Sequence, residues 1–250
     1  MNELPQPAPT PDPKPQGVLD QFIGLFTEPS VVFQRLRRTP TWVGPFILIL
    51  AAGLFASLTW AAKVDMEAAA KRKFEVMEQA FHVTIPPEVM DKALDQAATQ
   101  GHPYLTSSLG VLLGLPLSLL VLAAILFAFT RFGGEDEEVT FGHAWAAAIV
   151  QALTLVPIPL LAGIMCLLRK VGGAPSYANL APSHLGFWMH PANPWLRGLL
   201  AVCEPFYLFS FVALYFATRH TLRLKTWAIA VVLALTAVFG LGGHFFAGIF

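Results

Sequence analysis

Five long apolar stretches, opening near Val43, Thr106, His143, Leu199 and Thr226, contain nearly every hydrophobic run in the chain and decide what it can fold into. Each runs for about 19 to 26 residues, which at the 1.5 Å rise of a helix crosses the roughly 30 Å hydrocarbon layer of a bilayer. Lipid offers the backbone no hydrogen-bond partners, so each block must close its bonds internally as a helix. The expected fold class is all-α, a polytopic membrane helical bundle of five transmembrane helices at about 43–62, 106–130, 143–168, 199–217 and 226–249. Charged residues make up only 13% of the 250, against roughly a quarter in soluble domains, so a soluble fold could not cover the apolar 55%.

No basic region, apolar core and small-residue cleavage site precede residue 40, so the first block is expected to remain as a span rather than a cleaved leader. Lys plus Arg equals Asp plus Glu at 16 each, which gives no electrostatic reason to expect nucleic acid. Cys166 and Cys203 sit in or beside apolar spans and read as small buried hydrophobes.

Residues 1–16 alternate proline almost every second position, which favours an extended, disordered tail, with a polyproline ligand as the alternative. Residues 17–250 form the membrane domain. Leu19, Phe22, Ile23 and Phe26 fall at i, i+3, i+4 and i+7, predicting an amphipathic helix from Gly17 to Phe26. A second short helix carries Val32, Phe33 and Leu36 opposite Arg35, Arg37 and Arg38, and Pro40 stops it before Trp42. Apolar anchor, arginine cluster and tryptophan suit N-terminal interfacial helices on an anionic leaflet, so the bilayer itself is an expected partner.

The loop 63–105 predicts an extramembrane helical hairpin broken at Pro86 and Pro87, its seam formed by Met66, Ala70, Phe74, Met77 and Phe81. Gly110 and Gly114 have the small-xxx-small spacing that lets helices approach closely. Gly133 and Gly134 allow a tight reversal between spans, followed by the acidic run Glu135 to Glu138, read as a solvated turn rather than a cation site. Pro157 and Pro159 must kink or unwind the third span unless neighbours take up the freed carbonyls. Five alternating spans put 8 of the 16 Lys and Arg on each side, but the compact clusters Arg35, Arg37, Arg38 and Arg219, Arg223, Lys225 flank spans closely. That bias predicts a cytoplasmic N terminus and an external C terminus.

Glu204 is the one charged residue well within an apolar block, and buried charge is the usual pointer to function in a membrane. His143 and His244 lie nearest the spans, yet neither has a metal-ligand partner at helical spacing. No H-E-x-x-H, G-x-S-x-G or phosphate-cradling loop occurs, so no enzyme, no metal and no cofactor is expected.

Leu25-Phe26-Thr27-Glu28-Pro29, with Phe33, Arg35 to Arg38, Pro40 and Trp42 before the first span, resembles the membrane-proximal start of prokaryotic Yip1-domain proteins. Phe132-Gly133-Gly134 and Thr140-Phe141-Gly142, leading into Ala144 to Val150 and Pro157, are similar to that family's Gly-Gly turn and proline-bearing third span. The resemblance covers Leu25 to Phe250 and implies a five-span fold and a membrane address, with no catalytic residues to carry over. Eukaryotic members are linked to Rab GTPases, but their D-L-Y-G-P signature is absent here, which argues against a Rab-type partner.

The expected function is a non-enzymatic multi-pass scaffold or membrane-organising protein of a bacterial inner membrane, acting with a protein partner or as a homo-oligomer. The alternative is a small transporter or channel using Pro157, Pro159 and Glu204. The candidate residues are Glu204, Pro157, Pro159, Arg35, Arg37, Arg38, Gly133 and Gly134.

Overall fold

The computed structural model describes residues 16–99, 103–174, 177–189 and 191–249, so the proline-rich tail lies outside the described residues except for its last position. Helices α1 (Val18–Thr27) and α2 (Pro29–Arg38) lead into α3 (Val43–Ala61). A hairpin of α4 (Met66–Phe81) and α5 (Pro87–Thr99) follows, and α6 (Pro103–Gly133) recrosses. The third span joins α7 (Phe141–Ala152) to α8 (Pro157–Leu168), and α9 (Leu185–Met189) lies in the long connection after it. Then come α10 (Pro194–Val202), α11 (Pro205–Phe216) and α12 (Thr226–Ile249). Among the described residues there is no strand, only the isolated bridges Val64 to Gly172 and Gly134 to Leu224.

By length and composition 4 helices can cross a membrane, and the pair α10–α11, bent by 44°, makes a fifth when taken as one broken span. The bend follows from Pro205. Proline disfavours the helical region for the residue before it, and Glu204 accordingly sits at φ −108°, ψ 110°. The fourth span therefore begins at Pro194, before the expected Leu199, and ends in a π-helical turn, Ala217–Thr221.

Pro157 leaves the third span continuous. The Leu153 carbonyl, which a residue 157 N–H would have taken, instead accepts the Val156 N–H at 3.1 Å, closing a 3-10 turn over Leu153–Leu155. Pro159 lies in the first turn of α8, where backbone donors have no helical partner to lose. α7 is the central helix: Ala144 and Ala146 through Val150 are fully buried, and the alanines among them are small enough to let neighbours approach. A Cβ on Gly163 would fall 2.4 Å from Cε1 of Phe55, so α8 crosses α3 where only glycine fits. Gly110 and Gly114 behave differently from their spacing: nothing lies within 4 Å of either Cβ direction.

The amphipathic pair α1–α2 is present, but its best-buried face is seated on protein. Leu25, Val32, Phe33 and Leu36 are at most 2% exposed. Phe26 stacks on Phe209 of α11 with ring centroids 5.0 Å apart, and α1 packs beside the 3-10 turn of the third span. Only part of the predicted stripe faces outward, with Leu19 and Ile23 exposed. In the α4–α5 hairpin Asp65 caps α4 by accepting the Ala68 N–H at 3.0 Å, and the buried seam is Ala69, Val76 and Ala80, beside the stripe predicted from the sequence. Two faces result: one gathers α2, the Gly133 turn and the Thr221 turn, and the other gathers the hairpin and the segment after Arg169. The first is the proximal face and the second the distal face.

Candidate functional site

The proximal face is held together by the short turns that close spans two and four. Gly133 O accepts the Lys225 N–H at 2.7 Å, and the Glu135 N–H donates to Arg223 O at 2.9 Å. A Cβ on Gly133 would sit 2.6 Å from that of Ala228, and one on Gly134 would sit 2.3 Å from the carbonyl oxygen of Thr130. Gly133 is thus required by the close approach of the Ala228 and Trp227 side chains, and Gly134 by that of the Thr130 backbone. On the opposing turn Arg223 takes the left-handed conformation at φ 49°, a region that ordinarily favours glycine.

α2 is fastened onto this platform at three points. The Arg37 guanidinium forms an ion pair with Asp136. His143, in the first turn of α7, brings Nε2 within 3.1 Å of Arg37 O. Its Nδ1 accepts the Thr140 N–H at 3.1 Å, so the proton lies on Nε2, which donates to the carbonyl. Deeper in, Thr221 Oγ1 donates to Phe33 O at 2.8 Å. The π-helical turn places Thr221 there, because the Leu222 N–H reaches back five residues to Ala217 O.

Burial holds the Arg37 guanidinium below its ordinary pKa, Arg223 pushes in the same direction and Glu138 opposes them. The group stays charged, and the ion pair offsets part of its desolvation. Arg35 and Arg38 stand exposed on the rim, and neither forms an ion pair among the described residues. The acidic run is a turn: Asp136 Oδ1 also accepts the Glu138 N–H at 2.9 Å, and no metal-binding cluster of His, Cys, Asp and Glu occurs among the described residues.

Of the sequence candidates, Arg37, Gly133 and Gly134 come together here with Arg35 and Arg38 at the edge. Asp136, His143 and Thr221 complete the site and were missed; the turn residues carried the signal for the first two. Glu204, Pro157 and Pro159 lie elsewhere. Glu204 is 2% exposed and caps α11: Oε1 accepts the Phe206 N–H at 3.2 Å and Oε2 accepts the Ser183 hydroxyl at 2.6 Å. Nearby spans share neutral polar contacts, Gln151 Nε2 donating to Ser210 O at 3.2 Å and Thr154 Oγ1 to Gln151 O at 2.8 Å.

Compared with known families, residues 23–249 match the family model described as Yip1 domain. No curated protein and no solved structure matches the chain.

Proposed function

Since the chain belongs to the Yip1 domain family, we propose that this multi-pass membrane protein is a non-enzymatic scaffold that organises a protein partner at its proximal face. The observation that carries this reading is the platform itself: α2 and two turns locked into one unit, with Arg35 and Arg38 exposed on its rim and in no ion pair among the described residues. The basic rim that Arg35 and Arg38 form at the membrane surface suits an acidic partner segment or a second copy of the chain presenting its own Glu135 to Glu138 run. The same basic residues support a cytoplasmic proximal face in a bacterial inner membrane, with the C-terminal end external. Rab-type GTPases are not part of this reading, because the D-L-Y-G-P signature is absent.

The committed carboxylate of Glu204 favours this reading over transport, since both oxygens serve local structure. In-cell crosslinking with mass spectrometry tests it. A reproducible partner or homo-oligomer whose crosslinks map to α2 and vanish in Arg35→Glu/Arg38→Glu is the expected result. Solute flux by the purified chain in liposomes, with crosslinks unaffected by those substitutions, would overturn it.

A further inference from the structure

The distal face holds a cationic cavity of about 310 Å³. Arg72 of α4, Arg169 and Lys170 at the end of the third span, and Arg197 of α10 line it with His184 and Asn179. The sequence scatters these residues over three segments, and the backbone brings them together. Gly172, at φ 55°, turns the chain so that its carbonyl accepts the Asp65 N–H at 3.0 Å. Gly173 then lies so close to α4 that a Cβ would stand 2.8 Å from Ala68 O. This clamp sets Arg169 and Lys170 against the same hollow as Arg72. From the other wall Arg197 is steadied by donating to Pro191 O at 3.4 Å, and Arg169 lies over the Phe187 ring, 5.6 Å from its centroid.

No Asp or Glu lines the cavity, and none of the four cations has an ion pair among the described residues. Arg72 and Arg197 repel one another across it. The one buried carboxylate among the described residues, Glu204, is engaged by Ser183 and the α11 N terminus. Four converging cations without a counterion raise the free energy of the empty protein, and an anion bridging them relieves it. The level in the membrane narrows the ligand: Arg169 directly follows the third span, and Leu168 and Trp188, next in sequence to the lining residues Arg169 and Phe187, are exposed, as residues at the headgroup boundary are.

We propose that this cavity binds a phosphate-bearing anion, the group carried by an anionic phospholipid headgroup or by a soluble phosphate. The site is independent of the scaffold reading, since it lies on the other face and needs no protein partner.

The test uses the purified full-length chain in neutral detergent. Native mass spectrometry reads retention of phosphatidylglycerol against phosphatidylcholine, and thermal unfolding is followed with either lipid or with inorganic phosphate at matched ionic strength. The variant Arg72→Gln/Lys170→Gln alters two exposed side chains, and Lys71→Gln/Lys92→Gln, off the cavity on the same hairpin, removes equal charge. A lipid site predicts preferential phosphatidylglycerol retention that falls about tenfold in the first variant, weakens with salt and changes little in the second. A soluble-phosphate site predicts stabilisation by inorganic phosphate that the first variant alone loses. In ligand-free detergent the first variant should unfold no lower than wild type, because it relieves repulsion. Equal binding of lipid and of phosphate by wild type and the first variant would overturn the proposal.

Discussion

His143 bridges two elements 106 residues apart, joining the Thr140 backbone N–H at its Nδ1 to the carbonyl of Arg37 at its Nε2. One imidazole thereby starts α7 and ends α2. Both jobs are structural hydrogen bonds of a neutral ring. His143→Ala should lose the cap and strand the Arg37 carbonyl, costing about 1–2 kcal/mol. Thermal unfolding in detergent checks this, and an unchanged midpoint would show that the bridge contributes nothing.

The Arg37–Asp136 pair is half-buried, so breaking it from one side is worse than removing it whole. Asp136→Asn leaves Arg37 facing Arg223 with less compensation and should cost about 1 kcal/mol after allowance for solvent screening. Arg37→Met/Asp136→Asn should recover part of that loss. A double-mutant cycle on unfolding midpoints decides, and additive single costs would mean that the two side chains do not interact.

Glycine positions that look alike in sequence separate by surroundings. Gly134→Ala must displace the Thr130 backbone and should destabilise by about 1–3 kcal/mol. Gly114→Ala meets open space inside a helix, so it should be neutral or stabilising by up to about 1 kcal/mol. Equal midpoints for the two variants would contradict the close approach described at the Gly133 turn.

The bend in the fourth span gives a graded test. Glu204→Gln retains an acceptor for the Phe206 N–H and a partner for Ser183, and should cost under about 1 kcal/mol. Glu204→Ala removes both and should cost about 1–3 kcal/mol. Comparable losses in the two variants would indicate that the charge itself matters, reviving the transporter reading for this carboxylate.

Hydropathy made the spans legible because lipid imposes one requirement on every backbone group, and length alone reports it. The break at Glu204 was also visible in principle, since Pro205 restricts the residue before it, but a run of apolar residues on both sides conceals the interruption. Gly133 and Gly134 advertised a turn through their own chemistry. Their neighbours Ala228 and Trp227 did not, because contacts between distant segments leave no period in the sequence. The same holds for Arg37 and Asp136, separated by 99 positions, and for the distal cations. On α1 the apolar stripe was real, but spacing could not tell which of its residues would meet α11 and which would face outward.

Phe33 and Thr221 are joined across 188 positions, which orders the birth of the molecule. During synthesis α1 and α2 emerge first, yet the surfaces of α7, α11 and the π-helical turn that receive them are made only after the third and fourth spans. Until then Leu25, Phe33 and Leu36 have nothing of the chain's own to cover them. The N-terminal helices must therefore wait at the membrane surface or under a chaperone, and their closure onto the bundle is a late step of assembly.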